Sequence, residues 1–303
     1  MTTRRQFLTV LGGAAVAAAA RPHALAAQGT SGIRFAYHAI TWGGNDLQAI
    51  EEIAAAGFKG IQLRSNLVAK YGERPGELKA LLDQHGLTLV CFSSGNVLLA
   101  PEREQETLAL HTKHAQFVKA LGGLYLQVTD ERPKDRTPTV ADFKRMGTLL
   151  SELGRRCADH GVTLAYHNHM NNLGEKPEEV DAVLAAADPK TVKLLLDVAH
   201  YTQGGGDPVK AVHTYRDRIE LVHAKDVRDR PPRPDGRGGY QFVELGRGRV
   251  NLEGTFDALK QVGFDGWAII ELDSVPDPGG SPKESMMVSR KYVTDVLKLP
   301  LGT

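Results

Sequence analysis

The sequence contains little cysteine and no excess of charge of either sign. Its 303 residues include only Cys91 and Cys157, and they carry 37 basic and 36 acidic side chains. Two cysteines argue against a disulfide scaffold and a cysteine-based zinc site, so we expect each to be a buried free thiol. A formal net charge of +1 offers no electrostatic attraction to nucleic acid or to an acidic membrane surface. No nucleic-acid partner is therefore expected.

Long apolar runs are also missing, apart from a moderately apolar, alanine-rich stretch near the N-terminus. Residues 7–20 carry no charge and follow the pair Arg4-Arg5. The stretch is shorter than the ~20 residues that a transmembrane helix needs. Ala24-Leu25-Ala26 follows it as a small-x-small cleavage pattern. We expect residues 1–27 to be a targeting segment, cleaved near Ala26 or Ala27, and residues 28–303 to form one domain.

The paired arginines before Phe7-Leu8 resemble a twin-arginine export signal. The resemblance implies that the twin-arginine export machinery carries the folded protein across the bacterial inner membrane, and that the mature protein is periplasmic. An ordinary Sec signal and an uncleaved amphipathic anchor are the alternatives. Export after folding would suit a protein that loads a metal in the cytoplasm.

Beyond this segment, short β-rich runs alternate with amphipathic helical runs. In residues 46–56, for example, Leu47, Ile50 and Ile53 are spaced for one helix face, and Gly57 ends the run. Eight strand–helix repeats of this kind predict an α/β fold, a single (β/α)8 TIM barrel without a second domain. The predicted strands are residues 34–40, 60–63, 87–93, 125–129, 162–167, 192–197, 219–224 and 267–272.

One long interruption, residues 228–250, follows the seventh predicted strand. It is rich in proline, glycine and arginine and includes Pro231-Pro232-Arg233-Pro234. This composition favours a surface lid over a domain boundary. A disordered loop is the alternative.

Polar side chains follow the last four strands at the end where a barrel carries its active site. Imidazole and carboxylate groups together suit Mn, Co, Zn, Fe or Mg. Four consecutive strand ends of this kind predict one divalent metal ion, and a merely polar barrel mouth is the alternative. The four segments are His167-Asn168-His169, Asp197-Val198-Ala199-His200, His223-Ala224-Lys225-Asp226 and Glu271-Leu272-Asp273.

These segments resemble the xylose isomerase-like sugar isomerase/epimerase superfamily, which includes keto-sugar 3-epimerases, hydroxypyruvate isomerase and inosose dehydratase. The resemblance spans about residues 33–298 and includes Leu245-Gly246-Arg247-Gly248. His167 stands where the epimerases have Glu, as in inosose dehydratase-like members, and Gln62 stands where many relatives have Glu. The metal ligands that the resemblance implies are His167, Asp197, His223 and Glu271.

The chemistry that the resemblance implies is proton abstraction next to a carbonyl of a keto sugar or cyclitol. We expect Glu271 to be both ligand and base, with His167 or His169 as the second acid/base group. The residues expected to contact substrate are His200, Lys225, Arg228 and Trp42. For Lys225 the alternative is a salt bridge. For Trp42 with Tyr37, which could form a wall for a sugar ring, the alternative is core packing.

Several functions are compatible with this site. The first expectation is a metal-dependent sugar isomerase or epimerase. The alternative is a periplasmic lyase or dehydratase of 3-keto-glycosides or inosose-like substrates, because loss of the second glutamate weakens the epimerase assignment and periplasmic substrates are seldom phosphorylated. A non-catalytic sugar-binding protein is a lesser alternative. The abasic-site endonuclease of the same barrel type needs a trinuclear site and a basic surface. The net charge of +1 and the expected export disfavour this function. A homodimer is compatible with the resemblance.

Overall fold

A computed structural model describes residues 32–232 and 238–301. The predicted targeting segment lies outside the described residues. The strands are β1 (Arg34–His38), β2 (Gly60–Arg64), β3 (Thr88–Val97), β4 (Tyr125–Asp130), β5 (Thr163–His167), β6 (Val192–Asp197), β7 (Ile219–Ala224), β8 (Asp226–Asp229), β9 (Tyr240–Val243) and β10 (Trp267–Ile270).

Helices connect the strands and cover the outside of the sheet. They are α1 (Asp46–Ala55), α2 (Val68–Tyr71), α3 (Pro75–Gln84), α4 (Glu104–Ala120), α5 (Val140–Asp159), α6 (Pro177–Ala186), α7 (Val198–Gln203), α8 (Pro208–Thr214), α9 (Leu252–Gln261) and α10 (Pro282–Asp295). Among the described residues, no helix is long and apolar enough to cross a membrane.

Eight of the strands form a closed parallel barrel in the order β1-β10-β7-β6-β5-β4-β3-β2. The barrel closes where β1 pairs with β10, with Phe35 opposite Ala268. The predicted (β/α)8 TIM barrel is therefore confirmed. Because all eight strands are parallel, their C-terminal ends lie at one mouth.

Side chains alternate between two apolar layers along each barrel strand. On β1, Phe35 and Tyr37 belong to the large cluster under the helices, whereas Ala36 belongs to a small cluster inside the barrel. Trp267 fills the inner cluster near the N-terminal end of the strands. Gly60 leaves room for its ring, since a Cβ there would lie 2.6 Å from the indole. The inner layer is thus packed and forms a floor beneath the mouth.

The long interruption after β7 contains an antiparallel hairpin of β8 and β9, with Val227 opposite Phe242. Asp226 anchors its base, because its carboxylate accepts hydrogen bonds from the backbone amides of Gly246, Gly248 and Val250 at 2.8–3.0 Å. The described part of the predicted lid is therefore a strand pair, and residues 233–237 lie outside the described residues. The short strands were not predicted, because proline, glycine and arginine dominate the segment.

Strand β3 extends beyond its predicted end at residue 93. Its register with β4 shifts between Ser93 and Asn96, and Gly95 adopts a positive φ of 101°. A bulge of this kind adds residues to one strand and lets pairing resume further along. The extension brings Asn96 to the barrel mouth.

Candidate active site and metal centre

Four buried side chains converge at the C-terminal ends of β5, β6, β7 and β10. His167, Asp197, His223 and Glu271 each offer one ligand atom, and these atoms lie within 4.8 Å of one another. We call these four residues the ligand cluster. They are the four residues that the family resemblance implies as metal ligands, and the first and last of them are more than a hundred residues apart in the sequence.

Asp197 presents one carboxylate oxygen to the cluster and uses the other to begin helix α7. Its Oδ1 accepts hydrogen bonds from the amides of Ala199 at 2.9 Å and His200 at 2.7 Å, while buried Oδ2 has no hydrogen-bond partner. Asn168 fixes the Asp197 backbone by accepting from its amide and donating to its carbonyl oxygen, at 2.9 and 3.1 Å. The free oxygen is thereby held in place.

His223 is oriented by Gln62. Its Nε2 lies 2.9 Å from Gln62 Oε1, and the Gln62 amide nitrogen donates to Ser93 Oγ at 2.8 Å. Because an amide oxygen only accepts, His223 Nε2 is the donor to Gln62, and Nδ1 is the nitrogen that faces the cluster. That Nδ1 lies 3.5 Å from Asp197 Oδ2 and 3.3 Å from Glu271 Oε2. Gln62, a departure from many relatives, thus selects the tautomer that faces the cluster.

The ligand cluster fits a divalent metal ion. His167 Nδ1, Asp197 Oδ2 and His223 Nδ1 are all buried without a hydrogen-bond partner. A buried polar atom left in that state costs about 1–3 kcal/mol, which a bound cation would remove. Two imidazoles and two carboxylates are a donor set that several divalent metals accept. A second group within 4.8 Å consists of three imidazoles, from His167, His169 and His200, and has no carboxylate.

Both oxygens of Glu271 are engaged by buried partners. His38 Nδ1 lies 2.5 Å from Oε2, and Lys225 Nζ donates to Oε1 at 2.7 Å. Burial raises the pKa of the Glu271 carboxyl, but His223, Lys225 and His38 outweigh it and hold that pKa well below its usual range. Glu271 is therefore a carboxylate that is suited to binding a cation, and it is a weak base. Its role as base stays a prediction that these contacts disfavour.

Lys225 is fully buried and bridges Glu271 to Asp273, whose Oδ1 lies 2.7 Å from Nζ. Burial lowers the pKa of Lys225, but the carboxylates of Asp273, Glu271 and Asp197 raise it above its ordinary value overall. The Phe242 ring covers the ammonium at 4.1 Å. The salt bridge considered as the alternative for Lys225 is present, with these carboxylates as partners, while Asp226 anchors the hairpin.

Two further histidines lie beside the cluster with their rings 3.9 Å apart. Half-buried His169 donates from Nδ1 to the Met170 carbonyl oxygen at 2.7 Å, which leaves its Nε2 free as an acceptor. His200 faces a donor at each ring nitrogen, since the Met170 amide lies 3.2 Å from Nδ1 and the Lys225 ammonium lies 3.2 Å from Nε2. Burial and the charge of Lys225 hold the pKa of His200 well below its ordinary value, so the ring is neutral. His169 therefore offers a lone pair beside the cluster, whereas both nitrogens of His200 are in contact with donors.

Residues 50–292 match the family described as xylose isomerase-like TIM barrel. The chain belongs to this family. An inosose dehydratase from Lacticaseibacillus casei is 29% identical over 276 residues, covering 84% of this chain and 90% of that protein. The rhizopine catabolism protein MocC of Rhizobium meliloti is 28% identical over 275 residues, covering 81% and 83%. A crystal structure of the IolI protein with a bound zinc atom superposes with a TM-score of 0.73 at 18% identity, covering 88% and 98%.

In this xylose isomerase-like barrel, two predicted substrate contacts lie apart from the ligand cluster. Trp42 packs edge-on against Tyr37 and donates its indole N–H to Glu52 on α1 at 2.8 Å, which is the core packing considered as the alternative. Arg228 lies on β8, where its guanidinium donates to Gln241 Oε1 at 3.0 Å. Contact of either residue with substrate stays a prediction.

Sequence reasoning missed two residues that the xylose isomerase-like barrel places at the cluster. His38 follows Tyr37 at the end of β1, and strand alternation alone puts its side chain on the inner face with Ala36. Phe242 lies on the unpredicted strand β9, with its ring centroid 4.8 Å from that of His200. The first could have been found from alternation, whereas the second depends on the hairpin.

Proposed function

We propose that this protein is a divalent-metal-dependent lyase that removes the proton next to a carbonyl and expels the oxygen substituent on the following carbon. Keto cyclitols of the inosose type and 3-keto-glycosides are the substrate classes. The relatives named inosose dehydratase support this choice. The observation that carries it is the pair of imidazoles, His169 and His200, beside the ligand cluster. In addition, His167 stands where an epimerase has its second carboxylate. A sugar isomerase or epimerase, our first expectation, is therefore less well supported.

A metal ion held by His167, Asp197, His223 and Glu271 would supply Lewis acidity that polarises the carbonyl and acidifies the neighbouring C–H bond. In the proposed reaction, His169 Nε2 takes that proton, since its lone pair is free. The C–H electron pair forms an enolate. When the carbonyl re-forms, the C–O bond on the next carbon breaks, and the departing oxygen takes a proton from the His169 imidazolium, which returns His169 to its starting form. The products are an unsaturated ketone and water or an alcohol.

We also propose that residues 1–27 direct export to the periplasm by the twin-arginine pathway. The Arg4-Arg5 pair and the short apolar stretch after it support this proposal. N-terminal sequencing of the periplasmic protein is expected to find a start at or just after Ala27. A double Arg4→Lys, Arg5→Lys variant that is exported as before would contradict the twin-arginine assignment.

The metal site is tested by elemental analysis of purified mature protein beside an Asp197→Ala, Glu271→Ala variant. We expect about one divalent ion per chain, as in other sites with four protein ligands, and its loss in the variant. A His213→Gln variant on the exposed face of α8 is the matched control and should retain the metal. If the mature protein binds none of Mn²⁺, Co²⁺, Zn²⁺ and Mg²⁺, the proposed mechanism is wrong.

The reaction is tested in deuterated solvent with an inosose and a methyl 3-ketoglucoside as substrates. We expect an unsaturated ketone to form and deuterium to enter the position next to the carbonyl in recovered substrate. His169→Gln should lose about a hundredfold or more in rate, as loss of a general base does, while His213→Gln should not. Deuterium exchange without elimination would indicate an isomerase or epimerase, and metal and sugar binding without exchange would indicate a non-catalytic binding protein.

A further inference from the structure

A polar cavity of about 680 Å³ lies at the barrel mouth between the loops that follow β3, β4 and β5. This volume falls within the ~300–1,000 Å³ usual for a small-molecule site. Among the described residues that line it, none belongs to the ligand cluster, and the reaction proposed above does not use it. The lining is polar and includes Asn96, Glu131, Lys134, Asn171 and Glu175.

Hydrogen bonds within the protein hold the walls of this cavity. Arg132 pairs with Glu179 at 2.8 Å, and the backbone N–H of Asn171 donates to Glu175 Oε2 at 3.0 Å. Asp130 accepts from two successive backbone amides of the loop after β5, at 2.8 and 3.0 Å. Because these groups are already ordered, a ligand would lose less affinity to the ordering of its site.

The charges that remain free in the cavity favour a neutral, polyhydroxylated ligand. Arg132 is neutralised by Glu179, and Asp130 is occupied by the loop amides and the Tyr166 hydroxyl. Among the described residues that line the cavity, Lys134 is the remaining cation, and Glu131 and Glu175 contribute carboxylates. Without an excess of cations the cavity has no attraction for phosphate. Its mixture of amides, carboxylates and one ammonium matches hydroxyl groups, which both donate and accept hydrogen bonds.

One turn of the chain joins this cavity to the ligand cluster. The backbone N–H of Asn172 donates to the His169 carbonyl oxygen at 3.2 Å, which closes a four-residue turn. The ends of such a turn lie within about 7 Å of each other. The His169 ring contacts His200 beside the cluster, whereas Asn171 and Asn172 line the cavity. A molecule of two linked rings is therefore of a size to reach both places.

We propose that this cavity is the subsite for the departing half of a two-part substrate, an unphosphorylated sugar or similar polyol joined by a glycosidic oxygen to a keto ring at the ligand cluster. This inference rests on the proposed lyase function and narrows its substrate class to glycosides. Proton removal next to the carbonyl breaks the glycosidic C–O bond, and the departing oxygen gains a proton, so that a free sugar leaves with no change in oxidation state. Elimination would then occur on one side of the turn formed by residues 169–172, and the free sugar would be released on the other side.

The test compares elimination of 3-ketocellobiose with that of methyl 3-ketoglucoside by the metal-loaded mature protein. We expect kcat/KM to be about tenfold or more higher for the disaccharide, the value of one or two added hydrogen bonds. Asn171→Gly should lower that ratio severalfold. Glycine suits this position because Asn171 has a φ of 65°, so the turn should persist without the side chain. Lys134→Ala should lower the ratio as well.

Tyr240→Phe is the matched control. Tyr240 lies on the hairpin strand β9 near Asn171 and is not part of the cavity wall, so removing its hydroxyl alters the hairpin and leaves the wall unchanged. If Tyr240→Phe reduces the ratio as much as Asn171→Gly, the effect belongs to the hairpin and the subsite is wrong. Equal kcat/KM for the two substrates in the unmodified protein would also overturn it.

A binding measurement separates this inference from the proposed reaction. Calorimetric titration with unoxidised cellobiose should show binding that Asn171→Gly and Lys134→Ala weaken and that the exposed Lys210→Ala on α8 leaves unchanged. If neither keto-glycoside reacts but this pattern of binding is seen, the lyase function fails and the sugar subsite stands. If elimination proceeds and cellobiose binding is absent or unaffected by the variants, the subsite fails alone.

Discussion

His38 Nδ1 lies 2.5 Å from Glu271 Oε2, although one residue ends the first barrel strand and the other follows the last. The contact crosses the seam at which β1 pairs with β10. Burial lowers the pKa of His38 more than the Glu271 charge raises it, so a neutral ring donates its Nδ1 proton to the carboxylate. Closure of the barrel thus orients a member of the ligand cluster.

His38→Leu is expected to weaken metal binding by about ten- to a hundredfold, the usual effect of removing a hydrogen bond to a metal ligand. His38→Gln keeps an N–H donor and should recover part of the loss. Competition with a chelator measures both affinities, and thermal unfolding of the metal-free variants checks that they fold. Equal affinities for the Leu variant and the unmodified protein would show that Glu271 needs no orientation by His38.

Phe242→Ala is expected to impair the site by exposing the Lys225–Glu271 pair to water. The ring lies 4.1 Å from Lys225 Nζ and 4.8 Å from His200, and cation–π contacts of desolvated groups are worth about 2 kcal/mol. We expect kcat/KM for a keto-glycoside to fall by about tenfold or more. Phe242→Leu, which retains apolar cover, should fall less. An Ala variant with unchanged kinetics would show that β9 is not a functional lid.

The pH dependence of stability should reveal the buried cluster of Ser94, His111 and His114 under α4. Ser94 Oγ lies 2.5 Å from His111 Nδ1 and 2.7 Å from His114 Nδ1. Burial lowers the pKa of His111 to about 4. As the pH falls below about 6.5, His111 binds a proton in the unfolded chain but not in the folded chain. The free energy of unfolding therefore decreases until about pH 4.

His111→Gln removes this proton-linked decrease in the free energy of unfolding. Between pH 6.5 and 5.0, the free energy of unfolding of the variant should therefore fall by about 2 kcal/mol less than that of the unmodified protein, although the variant is less stable at neutral pH. Urea unfolding at several pH values measures the slope. His213→Gln, on an exposed helix face, is the control whose slope should match that of the unmodified protein. A His111→Gln curve as steep as that of the unmodified protein would assign the acid sensitivity to other groups.

The barrel and the polar strand ends at its mouth were predictable because both depend on local patterns, while the choice of the four residues of the ligand cluster came from the family resemblance. An apolar run that ends in His223 or Asp197 gives the strand, its end and the side chain at the mouth together. Residues that act across the barrel are different, since the pairing of His38 with Glu271 and of Gln62 with His223 depends on strand register and barrel closure. The cover from Phe242 depends on a hairpin of two four-residue strands, too short for a periodic signal.

Gly174 is expected to be essential to the loop that separates the ligand cluster from the proposed sugar subsite. A Cβ on Gly174 would lie 1.9 Å from the Tyr166 hydroxyl oxygen, which donates to Asp130 at 2.6 Å. Gly174→Ala must therefore move Tyr166 or the loop, at a cost of about 1–3 kcal/mol for an overpacked site. Gly76→Ala is the matched control, because a Cβ at that position in α3 meets open space.

These two substitutions add the same methyl group and should change stability in opposite directions. Gly76→Ala should raise the free energy of unfolding by about 0.5–1 kcal/mol, since alanine is the better helix former and restricts the unfolded chain. Urea unfolding at neutral pH measures both. Because the loop carries Asn171 and Asn172, Gly174→Ala should also weaken cellobiose binding more than metal binding. If Gly174→Ala proves as stable as the unmodified protein, the loop adapts, and its hydrogen bonds to Asp130 do not fix the wall between the two sites.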